Sequence, residues 1–366
     1  MILLSMLMAV IFALLPTSAH AQILNETTFG AGAEVYLPIP VENAIVDGER
    51  SRIRTLEVTA QSKLETNPLV SAKLTVGAND SNGDLVFNVR EAFANFQEML
   101  PGFSVRAGKF YLPIGILNQT RRMSWAFTSA PFAIDRFLSD EGVVDTGLDF
   151  LYEIKLGTQA ARPNFQVHAG VTNGYRFDSG VTNGGVKPMT PTHYIRPAIT
   201  FDLGSSRLTT GLDYIMRVSD AGQTMRMSGL DLELAPAERS DFDWSAQAEL
   251  YDRAVTTPAL PVSEELGGYV FVEKGLGQFA AGLRGDYFQI RSLTDGSGSY
   301  RPNMTYGFAP VVSYVGWKNL RAQTQFSVSK ETLSGTSGRT EQRLEFRLVG
   351  ELGDLPKSRT PNRLIN

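Results

Sequence analysis

From Phe29 onward, apolar and polar side chains alternate with a period of two in segments of roughly 9 to 13 residues, separated by clusters of Gly, Pro, Asn, Asp and Ser. About sixteen such segments are legible, near 29–37, 52–61, 68–78, 85–97, 102–110, 143–154, 164–172, 192–203, 206–218, 224–234, 242–252, 266–273, 278–290, 304–315, 320–330 and 341–352. In the seventh, Phe165, Val167, Ala169 and Val171 share one face, with Gln166, His168, Gly170 and Thr172 on the other. No helical stripe of comparable length competes, so the pattern predicts an all-β chain.

A soluble sandwich would alternate in the same way, with its apolar faces buried between two sheets. The connections discriminate. Every second gap is short or modest (98–101, 204–205, 235–241, 274–277 and 316–319 among them), whereas the others include the long ones (38–51, 111–142, 173–191, 253–265, 291–303). Short turns at one rim and long loops at the other are the mark of a transmembrane antiparallel β-barrel with an even strand count. Aromatic residues on the apolar parity agree. Phe29, Phe103, Tyr152, Phe165, Phe201, Trp244, Phe279 and Tyr314 fall at the short-turn end, and Tyr214, Tyr287, Tyr306 and Phe326 toward the long-loop end, as two interfacial girdles would.

Three places break the pattern. Glu91 shares the apolar parity with Phe87, Val89 and Phe93, which calls for a bulge or a covering contact. Arg226 shares a parity with Leu230, Leu232 and Leu234, which calls for a slip near Ser228 and Gly229 or a place at the outer rim. The run GGYVFVEK, 267–274, reads on either parity.

The first residues differ from the rest. Residues 2–15 are apolar apart from Ser5 and precede Pro16 and the small-x-small triplet Ala19–His20–Ala21, which reads as a secretory signal cleaved after Ala21, although no Lys or Arg precedes the apolar core. This divides the chain into a signal at 1–21, a barrel at 22–352 and a periplasmic tail at 353–366, the last made a poor strand by Pro356 and Pro361.

Composition narrows the function. The chain has 366 residues and no Cys, which excludes disulfides, thiolate metal sites and cysteine nucleophiles. With 34 Lys+Arg against 38 Asp+Glu it lacks the positive excess that a nucleic acid partner requires. The charge lies on the polar parity. It comprises Arg90, Arg106, Arg196, Arg207, Arg217, Arg284, Arg321, Arg343 and Arg347 together with Glu34, Glu57, Asp145, Asp149, Glu153, Asp202, Asp213, Asp231, Glu233, Asp243, Glu249, Asp286, Glu345 and Glu351. An inner wall this charged implies water in a barrel wide enough for an aqueous channel, with opposite charges on adjacent strands either pairing or facing each other across it.

The third long connection, 111–142, is rich in Arg121, Arg122, Trp125, Phe127, Phe132, Arg136 and Phe137; so apolar a loop is expected to fold against the inner wall. Its flanks, RAGKFYLPIGILN at 106–118 and DEGVVDTGLDFLY at 140–152, resemble the porin superfamily that includes the phosphate-selective and related substrate-selective porins. The resemblance implies a sixteen-stranded outer-membrane channel, a homotrimer in many members, with the third loop in the lumen. On that resemblance Lys109, Arg121, Arg122, Asp135, Arg136, Asp140 and Glu141 are the constriction candidates. Arg90, Arg106, Asp145, Asp149, Arg196, Asp213, Arg284, Arg321, Arg343 and Arg347 are candidates for the pore lining. Charges within 111–142 balance, so no dedicated phosphate channel is expected.

No enzyme is expected, and no catalytic, metal or cofactor residues are assigned. His168 and His193 belong to no nucleophile motif, and the Gly-rich run 171–185 lacks the strand-to-helix context and the Lys-Ser/Thr of a phosphate cradle. Arg52 and Arg54, at the outer end of the second segment, are candidate contacts for lipopolysaccharide phosphates. The expected activity is passive diffusion of small hydrophilic solutes or ions across the bacterial outer membrane. The alternative is a plugged adhesive or structural barrel acting through its external loops.

Overall fold

The structure, a computed structural model, describes residues 24–42, 51–64, 67, 69–81, 84–139, 141–156, 163–174, 191–218, 222–236, 243–256, 262–292, 303–317, 319–333 and 338–353. Residues 1–21, expected to be a signal, the segment beyond Gly353 expected to be a tail, Asp140 and most of the Gly-rich run lie outside these residues. Sixteen strands follow in order: β1 (Leu24–Glu42), β2 (Arg52–Leu64), β3 (Val70–Ser81), β4 (Asp84–Leu100), β5 (Phe103–Tyr111), β6 (Val144–Lys155), β7 (Asn164–Thr172) and β8 (Thr192–Asp202). They continue as β9 (Ser206–Val218), β10 (Thr224–Pro236), β11 (Trp244–Thr256), β12 (Ser263–Leu276), β13 (Phe279–Ser292), β14 (Asn303–Trp317), β15 (Leu320–Leu333) and β16 (Arg339–Gly353). Each pairs antiparallel with its neighbours in sequence, and β1 closes on β16, leaving no free edge.

The alternation decides which side chain faces where. Along β1, Glu34 and Tyr36 are buried inside, while Val35, Leu37 and Ile39 are exposed on the outer surface. The same holds around the sheet, with Leu148, Leu212, Leu230, Val270, Leu283, Val312 and Leu348 outward. The aromatics assigned to the short-turn end also face out, joined by Trp317, which packs edge-on against Tyr314 at a centroid distance of 4.7 Å.

The irregular segments resolve in physical terms. Thr75 pairs with Glu91 and Val76 with Val89, so Arg90 is an extra residue in β4. The bulge switches the strand's parity and turns Arg90, Glu91 and Phe93 all inward, where Lys73 meets Glu91 at 2.8 Å. A charge that looked lipid-facing therefore sits in an ion pair, and Phe93 is an interior residue. In β10 the register runs unbroken from Thr224 to Leu234, so there is no slip; Arg226 simply faces outward near the start of the strand. In β12, Tyr269 and Phe271 face in, with Val270 and Val272 out.

A second bulge, at Arg54 in β2, corrects another expectation. Glu34 pairs with Thr55 and Val35 with Ile53, so Arg54 turns inward, stacking 3.4 Å over the Tyr36 ring, and is withdrawn from any lipid surface. Arg52, opposite the inward Tyr36, shares that orientation.

The interior is not uniformly polar. On β8 to β14 the inward residues Tyr194, Ile215, Met225, Met227, Tyr251, Val255, Tyr269, Phe271, Phe288 and Val311 form one apolar cluster with Leu112, Ile114, Leu117, Trp125, Phe127, Ile134, Phe137 and Leu138 of the third connection. Two apolar surfaces, one on the wall and one on the loop, cover each other.

Candidate functional site

The third connection, residues 112–143, holds a 3-10 turn at Arg122–Ser124 and a short helix, α1 (Phe132–Leu138), which starts behind Pro131. Asn118 ties the two ends of the connection together. Its Nδ2 donates to the carbonyls of Leu112 (2.7 Å) and Val143 (3.3 Å), and its Oδ1 accepts from the Val143 N–H (2.6 Å). The loop is thus a closed body that leaves the wall at β5 and rejoins it at β6.

Its contacts with the rest of the barrel fall into two kinds. Toward β9 to β13, the Gly115 N–H donates to Asp213 Oδ2 (3.0 Å) and the Leu117 N–H to Glu249 Oε1 (2.8 Å), beside the apolar cluster. Gly115 has φ +56°, and a Cβ there would lie 2.0 Å from the Tyr251 hydroxyl, so this approach requires glycine. Arg136 donates to Glu265 (3.0 Å), which also binds Arg253. Helix α1 rests on Tyr251 and Phe288 through Phe137, with ring centroids 6.0 and 5.8 Å away.

Toward β15, β16, β1 and β2 the contacts are charged and polar. Arg121 donates to Glu57 (2.7 Å) and Thr59 (2.8 Å), and Arg54 to the Thr128 carbonyl (2.6 Å). Glu34 gathers three guanidinium groups: Arg347 at 3.2 Å, Arg54 at 3.4 Å and Arg122 at 3.8 Å. Arg347 also donates to the carbonyls of Arg122, Trp125 (3.2 Å) and Phe127 (2.9 Å). Glu345 accepts from Thr128 Oγ1 (3.0 Å), Ser129 Oγ (3.0 Å), Gln325 (2.7 Å), Ser327 (3.2 Å) and the Tyr36 hydroxyl. Glu34, Gln325 and Glu345 have 0% of their surface exposed and Arg347 2%, so on this side charged groups meet other protein groups rather than water.

The sequence-predicted residues divide accordingly. Arg121 and Arg122 are buried among the inward carboxylates, Arg136 is on Glu265, and Glu141 lies beside Asn79 and 3.6 Å from Arg90. Asp135 is exposed, and Asp140 lies outside the described residues. Lys109 is a correction. Arg106 and Phe110 face in, so Lys109 faces out with Val105 and Ala107, and its Nζ reaches the Val89 carbonyl (2.5 Å) at the β4 bulge.

Of the expected lining, Arg90, Arg106, Asp145, Asp149, Arg196, Asp213, Arg284 and Arg347 are inside and buried. Arg321 donates to the Met123 carbonyl, and Arg343 pairs with Glu341 at 3.1 Å. Pairing dominates. Asp149 binds Arg106 (2.9 Å), His168 (3.1 Å) and the Tyr194 hydroxyl (2.8 Å), and Arg196 bridges Asp213 and Asp231. At the level of the loop, the loop and the neighbouring side chains cover most of these charges, while Arg343 stays partly exposed. Sequence reading marked Glu91 as out of place but missed its partner Lys73, and it missed Arg253 with Glu265, which it assigned to a connection.

Neither a family model nor a curated protein sequence matches the chain. Solved structures do match its shape. An OmpF from Salmonella typhi, in complex with daunomycin, superposes with a TM-score of 0.59 at 9% identity, over 90% of this chain and 98% of its own. A loop L8 deletion mutant of OmpT, an outer membrane protein of Vibrio cholerae, gives 0.58 at 11% identity over 89% and 99%. An anion-selective porin from Comamonas acidovorans gives 0.56 at 11% identity over the same shares. The fold is that of the outer-membrane porins. At these identities the likeness speaks to the fold alone. Within that fold the exterior is apolar, and the interior between the third loop and the wall is the candidate site.

Proposed function

We propose that the chain is a porin of the bacterial outer membrane that passes small hydrophilic solutes or ions passively, with the third loop setting the narrowest section. The observation that carries this reading is the placement of a closed, wall-bonded loop inside a barrel whose fold is that of porins and whose interior is rich in charge. In this reading Arg121 and Arg122 belong to the narrow section; what supports it is that they reach Glu57 and Glu34 on the inner wall. Signal cleavage after Ala21 and a homotrimer belong to the same proposal.

One observation favours a second reading. The inward charges around the loop are buried almost completely, as they would be in a barrel plugged by its own loop and acting through its external surface. Single-channel recording of the refolded chain in a planar bilayer separates the two. Discrete open steps, altered in the Arg121→Ala plus Arg122→Ala variant, support the porin, and the reversal potential in a salt gradient gives its charge preference. A folded, inserted barrel that stays closed supports the plug.

A further inference from the structure

We infer that the segment following β16, residues 354–366, lies across the short-turn mouth of the barrel with its cationic side chains on an acidic arc of the inner wall, and obstructs the channel from that end. The obstruction rests on the porin reading; the seating does not. The segment, DLPKSRTPNRLIN, lies outside the described residues. It carries Lys357, Arg359 and Arg363 against Asp354, three cations to one anion and so a balance of +2. Strand β16 delivers it to the mouth, because Gly353 pairs with Gly30 of β1 at the end of the barrel where the turns are short. The sheet offers it no edge, since β1 and β16 already pair, and Pro356 and Pro361 lack the N–H that an added strand would use.

The alternation sets what the segment meets there. At this end the inward positions of β6, β8, β10, β12 and β16 carry Glu153, Asp202, Glu233, Glu273 and Glu351. The basic residues at the same level, among those described, are Lys63, Lys155 and Arg207, with Arg321 turned to the Met123 carbonyl of the loop. The acids crowd on one arc, where Glu233 and Glu273 flank Asp243 at the foot of β11, and Lys274 faces out over the Trp244 ring at 4.9 Å. They stay partly exposed, unlike Glu34, Glu249 and Glu345 at the level of the third loop, so a cation arriving from the mouth can reach them. Thirteen residues extend to roughly 43 Å. Sixteen strands about 4.8 Å apart and tilted by about 40° close to a width of roughly 32 Å, so the segment can cross from β16 to this arc. Tethering holds its cations at an effective concentration in the millimolar range, at which several weak, exposed ion pairs act together.

Trypsin cleaves after Lys357, Arg359 and Arg363, so mass spectrometry of the refolded full chain in detergent reads the seating without any conductance. Gel mobility confirms that each variant is folded. Cleavage at these three sites is expected to be slow in the parent and roughly threefold to tenfold faster in Glu233→Gln plus Glu273→Gln, the loss of two exposed ion pairs. It is also expected to be faster in the parent at about 1 M salt, where the screening length falls to about 3 Å. In a planar bilayer the parent is expected to flicker closed at one polarity only, the one that makes the short-turn side positive and drives cations into that mouth. Lys357→Gln with Arg359→Gln and Arg363→Gln is expected to stay open at both polarities. Equal cleavage in the parent and the Glu233, Glu273 variant overturns the seating, as does protection that depends on added vesicles of anionic phospholipid instead of on these acids. Flicker that survives neutralisation of the segment overturns the obstruction and leaves the porin reading intact. Absence of open steps in every variant removes the porin reading and the obstruction with it, while the cleavage rates still decide the seating.

Discussion

Replacing Arg347 by Ala removes a side chain that bonds three loop carbonyls and Glu34 at once. Breaking a buried ion pair by deleting one partner costs about 3–5 kcal/mol, because the remaining charge stays buried without compensation. Here the lower end applies. Glu34 keeps Arg54 at 3.4 Å and Arg122 at 3.8 Å, and water entering the space left by the side chain can satisfy the carbonyls. A cost of about 3 kcal/mol, falling on the closed loop and not on the sheet, raises the ratio of released to closed loop by about two powers of ten. The sheet is held by backbone ladders that close through β1 and β16, so the barrel should remain folded. Limited digestion with trypsin reads the change, since Arg121 and Arg122 are themselves cleavage sites and are buried in the closed state. Fragments ending at these residues should appear far faster in Arg347→Ala than in the parent, with longer or more frequent open steps in the bilayer. Equal cleavage rates at these sites, or unfolding of the whole barrel, would refute the reasoning.

Other perturbations test the wall. Lys73→Ala strands Glu91 in the interior and should destabilise the barrel by about 3–5 kcal/mol in denaturant titration, whereas Lys73→Met with Glu91→Leu should cost clearly less. Leu283→Arg, at an outward position 55% exposed, should lower stability in a bilayer by about 2–4 kcal/mol if that surface faces lipid. Gly108 has φ +128° and a Cβ there would lie 2.3 Å from the Ala92 carbonyl, so Gly108→Ala should reduce the folded yield measured by gel mobility. Lys109→Met should leave the conductance unchanged, because that side chain is on the outer surface.

Much of the barrel is legible in the sequence because a period of two is a local signal: Leu320 to Val328 reads the same before and after folding. Local breaks in it are harder. One extra residue at Arg90 reverses the parity of everything after it; Glu91 out of place signals such a bulge in the sequence, and the paired strand fixes where it lies. The apolar inner face was hidden for a related reason. In β9 and β10, inward Ile215, Met225 and Met227 alternate with outward Met216, and such runs give no sign of which face is which. The loop's apolar residues predict that it seeks cover, yet its partner Glu34 stands on β1, before the loop, and its partner Arg347 on β16, 220 residues after Phe127, the two brought together only by barrel closure. Lys109 was misplaced for the opposite reason. Its own strand, with Arg106 inward, puts it outside, whereas the resemblance of the surrounding motif points to the constriction.

The central claim is that this barrel is a passive channel whose narrowest section is set by its third loop. It is tested most directly by influx of a small neutral sugar into liposomes that hold the refolded chain, with the parent and Arg347→Ala compared at equal amounts of folded protein. The account predicts measurable influx with the parent, faster influx with the variant, and a steep decline as the sugar grows. Liposomes that stay tight with both proteins, each folded and inserted, would contradict it.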